Sequence, residues 1–321
     1  MKDVFSNCLS VQETPHGFVA SRFTAKQMDF YISQGQGAFD RAVNNAGVCL
    51  EFITGKAEIS FDFYNRAFSR PFVCFDIFED DIFVKPVKFE DETKSGTVLY
   101  KRKKAQPSKI TIYLPCMAQT HISNISFGDY SAAKSEKKRL LALGDSVTQG
   151  MNGICPSQNY VAVLARNLGM DFINQGVGGQ PYNALSFDAQ MEYRPNIITV
   201  AFGANDFNIV ESAEKIYENA CEHLAKVREF AKNAPVFVIS PVWRFDIEEN
   251  KDLHEKATAL NDFIRQAAEK SGFAYVRGLD MIPHDEMFFG TKNLHPCDLG
   301  FVNYGNNLAK TIVGALDGKD I

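Results

Sequence analysis

The second part of the sequence, from about residue 139, alternates short apolar runs with amphipathic segments, and this alternation limits the possible folds more than any other feature. The run at 196–202 is almost continuously apolar, which is typical of a strand buried on both faces of a parallel sheet. Apolar residues at helical spacing follow it, at Ile216, Ala220, Leu224, Val227 and Ala231, and again at Leu260, Ile264 and Ala267. The alternation predicts a parallel α/β/α sandwich.

The first part of the sequence has a different pattern. Apolar and polar residues alternate over 57–63, which predicts a half-buried strand, and 47–53, 72–78 and 109–114 predict further short strands. The segment 27–32 mixes apolar and polar residues and is assigned to the same series. Many short strands without a convincing helix predict an all-β sandwich or jelly roll.

The change of pattern predicts two domains. The chain has 321 residues, and domains average about 150 residues. We expect a β-sandwich accessory domain over 1–130, a polar linker over 131–138 and an α/β domain over 139–321.

Charge and composition exclude some classes of partner. Lys and Arg total 34 against 39 Asp and Glu, so the formal net charge is −5, and the footprint of a nucleic-acid-binding protein is missing. No stretch approaches the ~18 apolar residues of a membrane helix, and the N-terminus lacks the apolar core of a signal peptide. The seven cysteines are widely spaced without a C-x-x-C motif, which indicates reduced thiols rather than disulfides or a metal site. We therefore expect a cytoplasmic protein without metal or cofactor.

Two glycine-containing clusters follow predicted strands, where sites of parallel sheets form. In the first, Gly144-Asp145-Ser146, the serine lies at the start of the next segment, where N–H groups stabilise negative charge. Its alternative interpretation is simple capping of that segment. The second is the run 174–179, in which three glycines allow backbone N–H groups to approach a ligand. An ordinary strand-to-helix turn is the alternative there.

Two further clusters carry an amide and an imidazole. Asn205, in 203–206, ends the most buried strand, and its side-chain NH₂ can face an oxyanion. An Asn-Asp turn explains it equally well. His295, near the C-terminus, can act as general base to a serine hydroxyl, although a lone histidine is more often structural.

Taken together, the four clusters resemble the SGNH (GDSL) hydrolase superfamily over about residues 138–316. The resemblance implies a flavodoxin-like parallel sheet and an acyl-serine mechanism. It makes Ser146 the nucleophile and His295 the base, and it forms the oxyanion hole from the Ser146 N–H, the Gly179 N–H and the Asn205 side chain.

The sequence departs from the family pattern at one position. The family usually has an Asp three residues before the histidine, whereas this chain has Lys292. Losing such a carboxylate costs roughly 10⁴-fold in a serine protease. The expectation is a Ser–His dyad with a substitute for the missing carboxylate. A backbone carbonyl can orient the imidazole, and the nearby carboxylates are Asp285, Glu286 and Asp298.

A β-sandwich followed by such a domain resembles carbohydrate esterase family 2, some members of which work with a Ser–His dyad. The resemblance implies a short-chain ester, most simply an acetyl ester of a saccharide alcohol. Trp243, Arg244 and Asp145 are candidate substrate-binding residues, because they follow strand ends on the same edge of the sheet. A packed Trp243 with a satisfied indole N–H is the alternative.

Two other functions remain open at this stage. One is a lipolytic esterase or thioesterase of the same family, which acts on longer acyl chains. The other is an inactive scaffold that binds a glycan or another subunit, and Lys292 keeps this possibility open. The sequence does not decide the oligomeric state or whether the β-domain is purely structural.

Overall fold

The computed structural model describes residues 1–103, 105–133, 135–209, 212–290 and 294–316. Antiparallel sheets form the first region and a parallel sheet with helices on both faces forms the second. This is the predicted fold class. Among the described residues, no helix is both long enough and apolar enough to cross a bilayer.

The first region is a sandwich of two antiparallel sheets with an apolar interior. Its strands are β1 (Phe5–Ser6), β2 (Ser10–Thr14), β3 (Gly17–Ser21), β4 (Cys49–Thr54), β5 (Glu58–Arg66), β6 (Cys74–Glu79), β7 (Ile82–Lys88), β8 (Ser95–Lys101), β9 (Ser108–Tyr113), β10 (Gln119–Ser126) and β11 (Tyr130–Ala132). One sheet has the order β1-β4-β9-β6-β7, with β11 also paired to β4, and the other has the order β2-β3-β10-β5-β8. In β5, Ile59, Phe61 and Phe63 are buried, as the period-two pattern predicts.

Two helices interrupt this sandwich, and the prediction of an all-β segment at 27–32 is wrong. The helices are α1 (Ala25–Ser33) and α2 (Gln36–Ala42). The Thr24 side chain accepts a hydrogen bond from Gln27 N, and the Gln27 side chain accepts one from Thr24 N. This capping box starts α1 and is readable in the sequence as Thr-x-x-Gln, a signal that the sequence analysis missed.

The second region holds a parallel sheet in the order β13-β12-β14-β15-β16. These strands are β12 (Arg139–Gly144), β13 (Asp171–Gly176), β14 (Ile197–Ala201), β15 (Val236–Ile239) and β16 (Ala274–Val276). The helices are α3 (Ser146–Gln149), α4 (Tyr160–Asn167), α5 (Asp206–Ile209), α6 (Ala213–Ala231), α7 (Phe245–Glu249), α8 (Lys251–Lys270) and α9 (Asp298–Leu316). Short 3-10 helices occupy Lys2–Val4, Pro156–Gln158, Ala184–Ser186, Gly278–Asp280 and Glu286–Phe288.

The helices cover both faces of the parallel sheet. Helices α4 and α9 pack on one face, and α6 and α8 pack on the other. The predicted stripes of α6 and α8 are buried against the sheet. The sandwich extends slightly beyond its expected end, because β11 includes residues 131–132, which were assigned to the linker.

Candidate active site

The carboxyl ends of three parallel strands meet at one edge of the sheet. Gly144, the last residue of β12, pairs in register with Gly176 of β13 and Ala201 of β14. Ser146 and Asn205 follow the ends of β12 and β14, and Gly179 follows the end of β13. The parallel register therefore brings the three predicted positions to the same edge.

Ser146 is the first residue of the short helix α3, and Asp145 caps that helix by accepting a hydrogen bond from Val147 N at 3.0 Å. The first N–H groups of a helix have no acceptor within the helix, so they face outward at this end. His295 Nε2 lies 2.8 Å from Ser146 Oγ, and both residues are almost completely buried. This distance permits direct proton transfer between the hydroxyl and the imidazole.

The three carboxylates that the sequence offered as partners of His295 bind elsewhere. Asp298 Oδ1 accepts hydrogen bonds from the backbone N–H groups of Ile154, at 2.8 Å, and Cys155, at 3.2 Å. Asp285 is exposed and caps the 3-10 helix Glu286–Phe288, and Glu286 is exposed as well. Among the described residues, the structure therefore brings none of the three to the imidazole, and their role as its orienter gains no support.

Across the part of the chain that the structure describes, no carboxylate hydrogen-bonds or ion-pairs with His295. Lys292, at the family's usual Asp position, lies outside the described residues. Burial, with a smaller contribution from the positive charges of Arg70 and Arg244, lowers the pKa of His295 to about 4. The imidazole is therefore neutral near pH 7 and available as a base.

Asn205 is linked to the helix that carries Ser146 by a hydrogen bond to Asp145, the cap of that helix. Its Nδ2 donates to Asp145 Oδ2 and to the Gln180 carbonyl oxygen, both at 3.3 Å. Burial raises the pKa of Asp145 to about 7 and that of Asp206 to about 6. Asp145 thus caps α3 and contacts Asn205, whereas its predicted part in substrate binding stays a prediction.

The glycine loop after β13 depends on close backbone packing against α3, because a Cβ on Gly176 would clash with the backbone nitrogen of Gln149. Gly179 has φ +80°, a left-handed conformation that favours glycine. The preceding Gly178 donates its N–H to Gln149 Oε1 at 2.8 Å. Gln149 is the last residue of α3, so the helix that carries the serine also holds the glycine loop.

The first region of the chain binds the end of β13, the strand that leads into this loop. The sequence analysis did not predict this contact. Arg22 is 1% exposed, and its guanidinium donates to five backbone carbonyl groups, at Arg41, Ala42, Asn44, Asn174 and Gly176. Gln149 Nε2 donates to the Arg41 carbonyl oxygen at 3.0 Å. Arg22 thereby links α2 to β13, and Gln149 links α2 to α3.

A second group of buried amides continues this connection. Gln27 Nε2 of α1 lies 3.1 Å from Gln175 Oε1 of β13 and donates to the Ser186 carbonyl oxygen at 2.9 Å. Gln175 Nε2 donates to the Arg22 carbonyl oxygen at 2.8 Å. The segment around α1 and α2 is therefore part of the wall behind the candidate oxyanion hole.

Trp243 and Arg244 follow β15, but they differ in their surroundings. Trp243 is 4% exposed, donates its indole N–H to Glu248 Oε1 at 2.7 Å and stacks on His284. This geometry is the packed alternative that the sequence left open. Arg244 pairs with Asp246 at 2.6 Å, whereas its buried Nη1 has no hydrogen-bond partner within the described residues.

Two small cavities lie near the carboxyl edge of the parallel sheet. One of about 20 Å³ is lined by Asp145, Val147, Arg244 and Leu294, among others, and a second of about 50 Å³ is lined by Trp243, Arg244 and apolar side chains. A cavity of about 800 Å³ lies at the amino ends of the parallel strands, away from Ser146.

One cluster has donor atoms that metals bind. Sulfur atoms of Cys74 and Cys155 and a carboxylate oxygen of Asp76 lie within 4.8 Å of one another. The Asp76 carboxylate already accepts hydrogen bonds from Ser157 N at 2.9 Å and Ser157 Oγ at 2.6 Å. These bonds satisfy the carboxylate without an ion, so the cluster is explained as hydrogen-bonded packing.

Comparison with known proteins identifies the family of the chain. Residues 142–301, about half of the chain, match the model of the GDSL-like Lipase/Acylhydrolase family. The chain belongs to this family, and it is a carboxylic ester hydrolase of the SGNH (GDSL) type. The sequence has no significant match among curated proteins.

The two-region fold is shared with several solved structures. The salicylyl-acyltransferase SsfX3 from a tetracycline biosynthetic pathway has a TM-score of 0.81 and 15% identity, over 97% of this chain and 94% of that chain. A family two carbohydrate esterase from Clostridium thermocellum in complex with cellohexaose has a TM-score of 0.67 and 15% identity, over 97% and 98%. The acetyl xylan esterase Est2A from Butyrivibrio proteoclasticus has a TM-score of 0.60 and 16% identity, over 85% and 91%.

Proposed function

We propose that the protein is a serine esterase that hydrolyses short-chain acyl esters through a Ser146–His295 dyad. The single observation that carries this proposal is the 2.8 Å contact between His295 Nε2 and Ser146 Oγ at the carboxyl edge of the parallel sheet. The absence of a contacting carboxylate among the described residues favours a dyad over a triad.

In the proposed reaction, neutral His295 accepts the Ser146 proton as the serine oxygen attacks the ester carbonyl carbon. The oxyanion binds the N–H groups of Ser146 and Gly179 and the amide of Asn205. The alcohol leaves with the proton from His295, and water then repeats the sequence on the acyl-serine. The long 3.3 Å hydrogen bonds of Asn205 support this role, because they cost little to exchange for an oxyanion.

The cavities support a short acyl group. A volume of about 20 Å³ beside Asp145 and Val147 holds roughly one water-sized group, which matches an acetyl methyl better than a long acyl chain. A saccharide alcohol is the proposed leaving group, supported by the fold similarity to carbohydrate esterases. Trp243 lends no support to sugar binding, because its ring is packed inside the protein.

A second candidate is acyl transfer to an alcohol other than water. The specific support is the fold similarity to a salicylyl-acyltransferase, which extends over both regions of the chain. Both candidates use the same acyl-serine and differ only in the acceptor that attacks it.

The test is hydrolysis of p-nitrophenyl esters from acetyl to octanoyl, with wild type and Ser146→Ala side by side. We expect the highest kcat/KM on acetyl and its loss in Ser146→Ala. A preference for octanoyl would instead favour the lipolytic alternative. Equal background rates for both proteins would refute the esterase and favour an inactive scaffold. Adding simple alcohols and measuring transesterification separates hydrolysis from transfer.

We also propose that the protein works in a reducing compartment such as the cytoplasm. All seven cysteines are free thiols, four of them only partly buried. Thiols of this kind persist where the surroundings are reducing.

A further inference from the structure

Three arginines from different parts of the chain border the candidate active site. Arg41 of α2 donates from Nη1 to the Gly178 carbonyl oxygen at 3.1 Å, and a Cβ placed on Gly179 would lie 3.1 Å from the same nitrogen. It is therefore the nearest side chain to the candidate oxyanion loop at that point. The other two, Arg70 and Arg244, lie close enough to His295 for their charges to lower its pKa.

The positions of Arg70 and Arg244 are fixed by hydrogen bonds. Arg70, in the loop after β5, donates from Nε to Asn152 Oδ1 at 3.0 Å, and Asn152 follows the helix that carries Ser146. Arg244 precedes α7 and lines the small cavity beside Asp145. The three arginines thus approach the site from α2, from the β-sandwich and from the end of β15.

The charges of these arginines are incompletely balanced within the described residues. Arg41 and Arg70 form no ion pair there. Arg244 pairs with Asp246, but its side chain is only 13% exposed and its Nη1 is buried without an acceptor. A buried donor without a partner is costly, and an anionic acceptor would remove that cost.

Apart from Asp246, which binds Arg244 through two hydrogen bonds, the described acidic groups beside Ser146 do not pair with these arginines. Asp145 accepts hydrogen bonds from Val147 N and the Asn205 amide, and Asp206 accepts two from Tyr182 N. Neither carboxyl forms an ion pair with an arginine within the described residues. Arg41 and Arg70 therefore border the site as guanidinium groups without an ion pair among the described residues, and such charges attract an anion.

We propose that the natural ester carries a carboxylate, on either its acyl or its alcohol part, and that Arg41, Arg70 and Arg244 select it. This inference rests on the proposed esterase and names its substrate class. Guanidinium groups suit this task because their N–H groups match the two oxygens of a carboxylate. The β-sandwich region, which supplies Arg41 and Arg70, thereby becomes a specificity element.

The first experiment compares charged and neutral esters of matched size. On the acyl side, 4-nitrophenyl hydrogen glutarate is compared with 4-nitrophenyl pentanoate. On the alcohol side, 4-acetoxybenzoate is compared with its methyl ester. We expect kcat/KM to favour the anion by about tenfold or more in one of the pairs, since hydrogen bonds to charged groups are strong. The pair that shows the preference identifies whether the acyl part or the alcohol part of the natural ester carries the carboxylate.

Salt and substitutions then test the cause of the preference. Raising the ionic strength from about 0.01 M to about 1 M shortens the screening length from about 30 Å to about 3 Å and should reduce the anion preference. Arg41→Gln and Arg70→Gln should each lower the preference severalfold, whereas Arg41→Lys should retain most of it. Arg265→Gln, on the exposed face of α8, is the matched control and should change neither the preference nor the basal rate.

The outcomes separate the two proposals. Ser146-dependent hydrolysis of p-nitrophenyl acetate without anion preference in either pair would overturn the inference and leave the esterase intact. A preference that survives both Gln substitutions would also overturn it. If no ester is hydrolysed in a Ser146-dependent way, the esterase proposal fails, and the inference fails with it.

Discussion

The nucleophile side and the base side of the candidate site are held in different ways. On the nucleophile side, Gln149 joins α3 to the glycine loop and to Arg41 of α2, and Arg22 joins the end of β13 to the first region. On the base side, His295 makes one side-chain hydrogen bond to another described residue, the one to Ser146. The contrast shows that the hydrogen bonds that fix the site are concentrated where the negative charge of the oxyanion would develop. His295 is instead kept neutral by its burial.

The largest expected effect comes from removing the base, His295. His295→Ala removes the only base within reach of Ser146 Oγ among the described residues, so kcat on p-nitrophenyl acetate should fall by about 10⁴-fold or more. The matched control is His16→Ala, in an exposed turn of the sandwich, which should retain full activity. Turnover within about tenfold of wild type would remove His295 from the mechanism.

The next effect tests the oxyanion hole. Asn205→Ala should lower kcat by about 10² to 10³ while the protein stays folded, because one donor to the oxyanion is lost. Asn208→Ala is the control, because Asn208 lies three residues later, within α5, and is exposed. Equal kcat values for the two variants would show that Asn205 only supports Asp145.

A third prediction addresses the connection behind the nucleophile. Arg22→Met leaves buried carbonyl groups without a donor, and we expect the free energy of unfolding to fall by about 3 kcal/mol. Urea denaturation measures this, with Arg265→Met on the solvent-facing side of α8 as the control, for which the change should stay within about 0.5 kcal/mol. A matching small change for Arg22→Met would mean that the carbonyl groups find other donors.

The pH profile sharpens the description of the base. Burial, Arg70 and Arg244 lower the pKa of His295 to about 4, so the imidazole stays neutral down to that pH. The acid limb of kcat/KM should therefore fall near pH 4 rather than near the ordinary pKa of about 6.5. Arg70→Gln removes a positive charge and should move the limb to higher pH. A limb that moves to lower pH, or one near 6.5 in wild type, would contradict this electrostatic account.

The smallest effect concerns Trp243. Trp243→Phe keeps most of the buried ring but loses the hydrogen bond to Glu248, which is worth about 1 to 3 kcal/mol. We expect a lower stability in thermal unfolding and little change in kcat/KM for sugar esters. A large loss of kcat/KM at unchanged stability would restore the substrate-binding interpretation.

The sequence predicted which residues lie at the carboxyl edge of the parallel sheet, because the geometry of such sheets is regular. Ser146, Gly179 and Asn205 follow strand ends, and strands of a parallel sheet end at the same edge. Their catalytic roles remain predictions until the variants are measured. The buried runs of β14 and the stripes of α6 and α8 were predictable for the same reason, since burial follows strand and helix periodicity.

The wall behind the glycine loop was not predictable. Arg22 contacts Asn174 and Gly176, more than 150 residues away along the chain, through carbonyl groups that carry no sequence signal. A buried arginine also contradicts the usual expectation for that residue type. Helix α1 was a different case, because its capping box was visible and was outweighed by the strands around it.

The Arg22 contacts also affect when the active site can form during synthesis and folding. The ribosome delivers Arg22 and α2 long before β13 and α3, so the carbonyl acceptors at Asn174 and Gly176 arrive late. Activity would then appear only once both regions have folded and docked, and any fragment or chimera that keeps 139–321 alone would lack one side of its reaction centre. An engineer who exchanges the sandwich must carry the segment from Arg22 to Asn45 along with the hydrolase.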